Sequence, residues 1–214
     1  YVKCYLESGE ITDNTTNYTT EDSTVYSEGI DAVLTHGYFD VNFPMDIKPD
    51  GTEGASASWN GMIYIFDPNT NVTHKSLNMN PIQRPQRVEY SPDGSKLAIV
   101  TNQGCIVIYD TSDYDKAPVK IYNGAVIQEN AVFTADSKQL IVGGFNGGSA
   151  AYANPVTGGK TEKWCFRVFD VETGAVLQEI NVGSDPRCID LSNDGSKVIV
   201  TTTRNGSFIY NVSD

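Results

Sequence analysis

The sequence predicts an all-β fold built of repeated antiparallel sheets, and three observations carry that prediction. The first is the stretch Val88 to Asp110. Its apolar runs (Val88 to Tyr90, Leu97 to Val100, Ile106 to Tyr109) have strand length and are punctuated by Pro92-Asp93-Gly94 and Asn102-Gln103-Gly104. Glycine supplies the positive φ such turns need, and aspartate bonds its own backbone there. The second is recurrence: Met45 to Asp67, Val132 to Asp170 and Ile189 to Asn211 follow the same plan of strand, turn, strand, turn, strand. The third is spacing. The first-turn aspartates Asp50, Asp93, Asp136 and Asp194 lie 43, 43 and 58 residues apart, and the long interval contains the Gly, Ala, Asn and Pro-rich insertion Gly147 to Lys160. A period in the low forties with four strands per unit is the signature of a β-propeller blade.

The fourth strand of each unit follows the residue that closes the third: Asn71 to Leu77, Pro118 to Tyr122 and Val176 to Val182. The third strands close on Phe66-Asp67, Tyr109-Asp110, Phe169-Asp170 and Tyr210-Asn211. In this ending and in period the four units, roughly residues 45 to 214, resemble WD-type propeller repeats, whose third strand ends in Trp-Asp. The resemblance implies a fold of about four to five four-stranded antiparallel blades and no particular chemistry.

The N-terminal part is less periodic. Residues 1–30 read as an arm or an incomplete blade, and 31–214 as the repeat domain. Ile11 to Ser23 is rich in Thr, Asn and acidic residues, as in an exposed loop. Val25 to Leu34 lies without gaps on Val168 to Leu177, so Thr24 to Ser27 reads as the end of a third strand and Ala32 to Tyr38 as a fourth. The last unit has no fourth strand of its own. One strand is in surplus at one end and one is missing at the other, so the set is completed either within the chain or by strand exchange between chains, which would be a head-to-tail contact. Residue 1 is Tyr, so the sequence reads as a processed product or an excerpt of a longer one.

Charge narrows the partners. The 214 residues carry a net charge of −12 and a pI near 4.5. Phosphate neutralisation needs a Lys/Arg surface, so nucleic acid is not expected as a partner. Binding to anionic membranes is discouraged for the same reason. No run approaches the roughly 20 apolar residues of a membrane helix. The expected partners are proteins, copies of this chain among them.

No residue set reads as catalytic, and no cofactor or metal is expected. His36 and His74, the two histidines, stand apart from any triad or ligand pattern. Gly143 to Gly148 lacks the Lys-Ser/Thr and following helix of a phosphate loop and reads as a β-turn. Asp110, Asp113 and Asp115 form a solvated acidic loop without the Gly and terminal Glu of a calcium loop, while Asp31, Asp40 and Asp46 are scattered earlier. Tyr64, Phe66, Tyr109, Phe169 and Tyr210 have strand spacing and read as packing between blades; Trp59 and Trp164 flank third strands.

Two residue types speak to compartment. Cys4, Cys105, Cys165 and Cys188 follow no metal spacing; as an even set they are disulfide candidates, while Cys105 and Cys165, both five residues before a closing Asp, read as buried thiols. Asn14, Asn17, Asn71, Asn205 and Asn211 each begin an Asn-x-Ser/Thr sequon in a predicted loop, turn or strand end. Together they favour an extracellular or cell-surface glycoprotein, with the cytoplasm as the alternative. The function expected is a non-catalytic scaffold for protein interaction. The alternatives are an intracellular WD-type adaptor fragment and a propeller enzyme holding a metal or quinone in its central channel.

Overall fold

The computed structural model describes residues 42–58, 61–79, 84–101, 104–122, 127–146, 163–184 and 186–212. The predicted N-terminal arm, the strand expected at Ala32 to Tyr38 and the insertion Gly147 to Lys160 lie outside them. All fifteen elements are strands: β1 Asn42–Ile47, β2 Gly54–Ser58, β3 Met62–Phe66, β4 Thr73–Asn78, β5 Pro85–Tyr90, β6 Lys96–Thr101, β7 Cys105–Asp110, β8 Val119–Tyr122, β9 Ile127–Phe133, β10 Gln139–Asn146, β11 Lys163–Asp170, β12 Val176–Asn181, β13 Pro186–Leu191, β14 Lys197–Thr202 and β15 Ser207–Asn211. They form three four-stranded antiparallel meanders, β1 to β4, β5 to β8 and β9 to β12, and one three-stranded meander, β13 to β15. We number these blades 1 to 4.

The turns that set the register are the predicted ones. In each blade the first hairpin is closed by the same backbone bond, Gly51 N–H to Lys48 O, Gly94 to Ser91, Ser137 to Thr134 and Gly195 to Ser192. The donor has positive φ in every case, and in blade 3 it is a serine at 60°. A side chain in that region costs about 1–2 kcal/mol. Ser137 Oγ offsets this by accepting the Asp93 backbone N–H of blade 2 at 3.1 Å, a bond that ties two blades together.

In blades 2 to 4 the first strand packs on the first and second strands of the blade before it, so first strands cluster at the axis and fourth strands lie at the rim. The apolar alternation of each second and third strand therefore feeds two interfaces. Leu97, Ile99, Val107 and Tyr109 of blade 2 join Ala55, Ala57, Ile63 and Ile65 of blade 1 in one core cluster. Ala98, Val100, Ile106 and Ile108 point the other way and join Phe133 and Leu140 of blade 3 in a second. A third unites Ile141, Phe166 and Val168 of blade 3 with Ile189, Val198 and Val200 of blade 4. Among the described residues β1 and β13 do not touch, so blades 1 and 4 do not meet directly.

One expectation is corrected here. Gly143 to Asn146 is not a turn but the second half of β10, paired with β11 throughout. Glycine here makes room rather than a turn: a Cβ on Gly143 would stand 2.7 Å from Ile189 Cδ1 of blade 4, so the end of that side chain would have to shift. Gly54 has the same cause, since a Cβ there would meet the Phe66 ring at 2.4 Å.

Candidate interaction surface

Equivalent positions on the blades can be read from strand register. Ala55 opposite Ile65, Ala98 opposite Ile108, Ile141 opposite Val168 and Ile199 opposite Ile209 are the same pair in blades 1 to 4. In the first three blades the pair is buried against the next blade. In blade 4 it faces solvent, with Ile199 40% and Ile209 67% exposed. Cys188 and Asp190 of β13 are exposed beside Thr201 and Ile199, their register partners.

The opposite end of the array differs: all of β2 is buried, and Ser56, Ser58 and Phe66, on the face turned away from blade 2, are 2–3% exposed, so only the first strand and first turn of that face are open. Ile47, opposite Gly54, corresponds to Tyr90, opposite Leu97, and to Phe133, opposite Leu140. Tyr90 and Phe133 are buried against the preceding blade, whereas Ile47 is 54% and Met45 40% exposed. The turn agrees. A Cβ on Gly94 would meet Lys48 of blade 1, and one on Gly195 would meet Ala135 of blade 3; on Gly51 it would meet nothing within 4 Å.

β15 supplies a strand edge. Among the described residues no strand pairs with its outer side, where β4, β8 and β12 occupy the rim of the other blades. Beside it, between blades 3 and 4, runs a groove of about 230 Å³ lined by Ile141, Phe166, Ile180, Val198, Tyr210 and Val212 among others. Phe166 and Tyr210 meet edge to face across it, 5.1 Å between ring centroids.

Near the axis the first strands bring acidic groups together. Asp46, Glu89 and Asp190 hold equivalent places, opposite Ala55, Ala98 and Ile199. Burial pushes the Glu89 carboxyl up to about 7; Arg87 opposes this, while Asp46 and Asp190 add to it. Arg87 donates to Glu89 Oε2 from Nε at 2.8 Å, with Nη2 at 2.5 Å. Asp46 Oδ2 accepts the Tyr90 backbone N–H at 2.7 Å. Sequence reading left Asp46 as scattered and did not single out Glu89; the shared register position was the signal available. A second knot joins blades 1 and 2. Glu53 accepts hydrogen bonds from Tyr90 Oη at 3.0 Å and from Tyr114 Oη, and His74 Nε2 lies 3.3 Å from its other oxygen. Burial raises both tyrosine hydroxyls; Tyr114 and Glu53 add to the rise at Tyr90, while at Tyr114 the bond to Glu53 adds to it and the one with Tyr90 opposes it.

The remaining sequence candidates are dispersed. Asp110 ends β7 and is satisfied by Ser112 N–H and Oγ, which hold its carboxyl down at about 2. Asp113 accepts the Asp115 N–H, and Asp115 pairs with Lys75 at 2.6 Å. Tyr64, Phe66, Tyr109, Phe169, Trp164 and Tyr210 all lie in third strands. Cys105 and Cys165 are buried as expected; Cys188 is exposed, and no disulfide joins these three to one another. Asn71 takes the left-handed turn position that Gly174 takes in blade 3, each N–H bonding the carbonyl of the closing Asp. Asn205 is exposed in the turn before β15, and Asn211, at its end, accepts from Lys197 Nζ at 2.9 Å. Cys4, Asn14, Asn17, Asp31, His36, Asp40 and Trp59 lie outside the described residues. Among those described, no group of three or more His, Cys, Asp or Glu side chains is arranged to hold a metal ion, and no helix is long and apolar enough to cross a membrane.

No protein-family model matches the chain, and neither does any curated protein. Solved structures do, with 1415 matching chains, which marks the architecture as a widely used one. Among them is the hydrazine synthase of Kuenenia stuttgartiensis, with a TM-score of 0.65 and 16% identity over 84% of this chain. The match spans about half of that structure, 49% of its length. At this identity the likeness concerns the fold, and with the meanders described above it makes this an all-β, propeller-like array of blades.

Proposed function

We propose that the chain is a non-catalytic scaffold for protein interaction, built of WD-like blades and working outside the cell or at its surface, with glycans on some of Asn14, Asn17, Asn71, Asn205 and Asn211. Its partners are proteins, copies of itself included, engaged head to tail through terminal strands. The observation that carries this reading is the bare outer side of β15 above an apolar groove. An unpaired row of backbone N–H and C=O groups is a template for strand addition, and side chains alternating into the groove would give it register. Ala32 to Tyr38, which has the sequence of a rim strand, is the segment suited to that edge. Sedimentation of the full chain across a wide concentration range tests the reading: growth into larger species that Leu34→Asp removes is expected, and assembly indifferent to that substitution refutes strand exchange.

A second reading, an intracellular adaptor, is favoured by one observation: Cys105, Cys165 and Cys188 form no disulfide with one another. Thiol titration with intact mass before and after glycosidase treatment, on protein from its native source, separates the two. Glycans support the extracellular reading, and four titratable thiols without glycans support the adaptor.

A further inference from the structure

We infer that the loop between β7 and β8 is a strap seated in a peptide-binding groove between blades 1 and 2, and that this groove takes a tyrosine followed by an acidic residue from a partner protein when the strap lifts. The inference rests on the protein-interaction role proposed above, but on neither self-assembly nor compartment.

The strap is made for the place it occupies. Thr111 to Pro118 joins β7 to β8 and is longer than Asp67 to Val72 or Val171 to Ala175, which make the same connection in blades 1 and 3. Its middle reaches across to blade 1. Tyr114 packs on the apolar cluster shared by blades 1 and 2, its ring centroid 6.2 Å from that of Tyr109. The Tyr114 hydroxyl donates to Glu53 Oε1, and the adjacent Asp115 accepts from Lys75 Nζ of β4 at 2.6 Å. Burial and the bond to Glu53 raise that hydroxyl, so it stays protonated and remains a donor. The seat therefore has two parts: an apolar slot that ends in a carboxylate, and an ammonium group beside it. An aromatic anchor in a slot, with a charged contact next to it, is the form binding hot spots take.

The seat itself owes nothing to the strap. Three residues on from the turn aspartates, Glu53 stands where the other blades carry Lys96, Gln139 and Lys197. A carboxylate accepts the phenol hydrogen bond that a lysine cannot. Tyr90 Oη of blade 2 donates to Glu53 Oε1 at 3.0 Å, and His74 Nε2 of blade 1 lies 3.3 Å from Oε2, so the acceptor is held from both blades. The walls recur elsewhere. By register Ala55, Ile65, Leu77 and Tyr109 match Ile141, Val168, Ile180 and Tyr210, which line the groove between blades 3 and 4.

The strap is fastened lightly by comparison. Ser112, Asp113, Asp115, Lys116 and Ala117 are exposed. The Asp113 N–H bonds Asp110 O and the Lys116 N–H bonds Asp113 O, which closes turns within the strap and adds no ladder to the sheets. Such a segment opens more readily than the strands beneath it. An incoming tyrosine-acid segment thus competes with an intramolecular one, whose effective concentration is about millimolar.

The test is fluorescence anisotropy of a labelled peptide with the sequence of residues 110–117, titrated with the full chain. Saturable binding to the unsubstituted chain is expected, and binding about tenfold or more tighter to Tyr114→Ala, whose seat is vacated. Asp115→Lys, which loosens only the exposed ion pair, should give an intermediate gain; circular dichroism and urea midpoints show whether both variants fold. Phenylalanine in place of the peptide's tyrosine should weaken binding to Tyr114→Ala about tenfold, because the bond to a charged acceptor is lost. The inference falls if the peptide binds all three chains equally, if none binds it at millimolar peptide, or if the phenylalanine peptide binds as well as the tyrosine one. If the variants bind it and the unsubstituted chain does not, the strap is a fixed part of the fold and the inference also falls. None of these results bears on the sedimentation of Leu34→Asp, so strand exchange and the strap fail separately.

Discussion

Blades 2 and 4 carry nearly the same strands in different surroundings. Pro85 to Thr101 and Pro186 to Thr202 align without gaps, share a bulge after the first proline and use the same Ser-x-Asp-Gly-Ser-Lys turn. Blade 2 is covered on both faces, and its second strand is buried from Leu97 to Thr101. Blade 4 is covered on one, and its second strand alternates buried Val198 and Val200 with exposed Lys197 and Ile199. The difference shows that strand sequence in a repeat protein records the face it is built to meet, while exposure records whether that face is occupied. An isoleucine kept at a bare position is a mismatch of those two records.

The strongest way to break the comparison is to make the same deletion in both places. Ile108 and Ile209 are the same residue at the same register position, 2% and 67% exposed. Ile108→Ala removes buried methyl groups from the core between blades 2 and 3 and is expected to cost about 3 kcal/mol in urea unfolding. Ile209→Ala is expected to cost less than about 0.5 kcal/mol in dilute solution. Equal costs at low concentration would mean that the blade 4 face is covered within the single chain and that the two isoleucines share one setting.

That contrast was partly visible in the sequence. Turn chemistry and spacing located every meander within a few residues, because Asp-Gly and Asn-Gly turns act locally and need no knowledge of neighbours. What could not be read was between blades. Ile108 and Ile209 sit in equally apolar runs, and nothing local tells a buried one from an exposed one. Gly143 was misread because its neighbours Gly144 and Gly147 suggest a turn, whereas the approach of Ile189 from another blade keeps it small. Ser137 at positive φ is explained only by Asp93, 44 residues away. The gathering of Asp46, Glu89 and Asp190 depends on which blades stand side by side.

Glu89 sharpens the comparison at intermediate size. Burial raises its carboxyl from an ordinary 4.5 to about 7, so the ionised form is disfavoured in the folded state. The sign follows directly. Below about pH 4.5 the group is neutral in both states and costs nothing; the penalty grows as pH rises towards 7 and is complete above it. Glu89→Gln removes the penalty but also weakens the bond to Arg87, leaving a net gain of about 1–2 kcal/mol at pH 8 and little at pH 4. Asp190, its exposed counterpart, should tolerate Asn within about 0.5 kcal/mol at either pH. Melting temperatures at the two pH values decide the matter, and a Glu89→Gln gain that does not grow with pH would show that burial at the axis is not what governs this carboxyl.

The smallest expected difference lies in the turns. Asp93 and Asp194 are each bonded by a preceding serine hydroxyl and by the N–H and hydroxyl of a following serine, and each carboxyl is held down at about 2, first by the preceding serine. Only the Asp93 turn has a following blade, whose Ser137 accepts its backbone N–H and helps to lower its carboxyl. A folded value below the ordinary 3.8 means stability that is present above about pH 4 and lost as pH falls through 2. Both turns are exposed, so screening by water keeps the effect small: Asp93→Ala is expected to cost no more than about 1 kcal/mol at pH 7. Asp194→Ala should cost less, because no neighbouring blade depends on its turn. Thermal melts at pH 7 and pH 3 check both claims, since the gap between Asp93→Ala and the unsubstituted chain must narrow at the lower pH. If Asp194→Ala proves the costlier of the two, the turn of blade 4 is supporting a neighbour after all, and in dilute solution that neighbour would have to come from the chain itself.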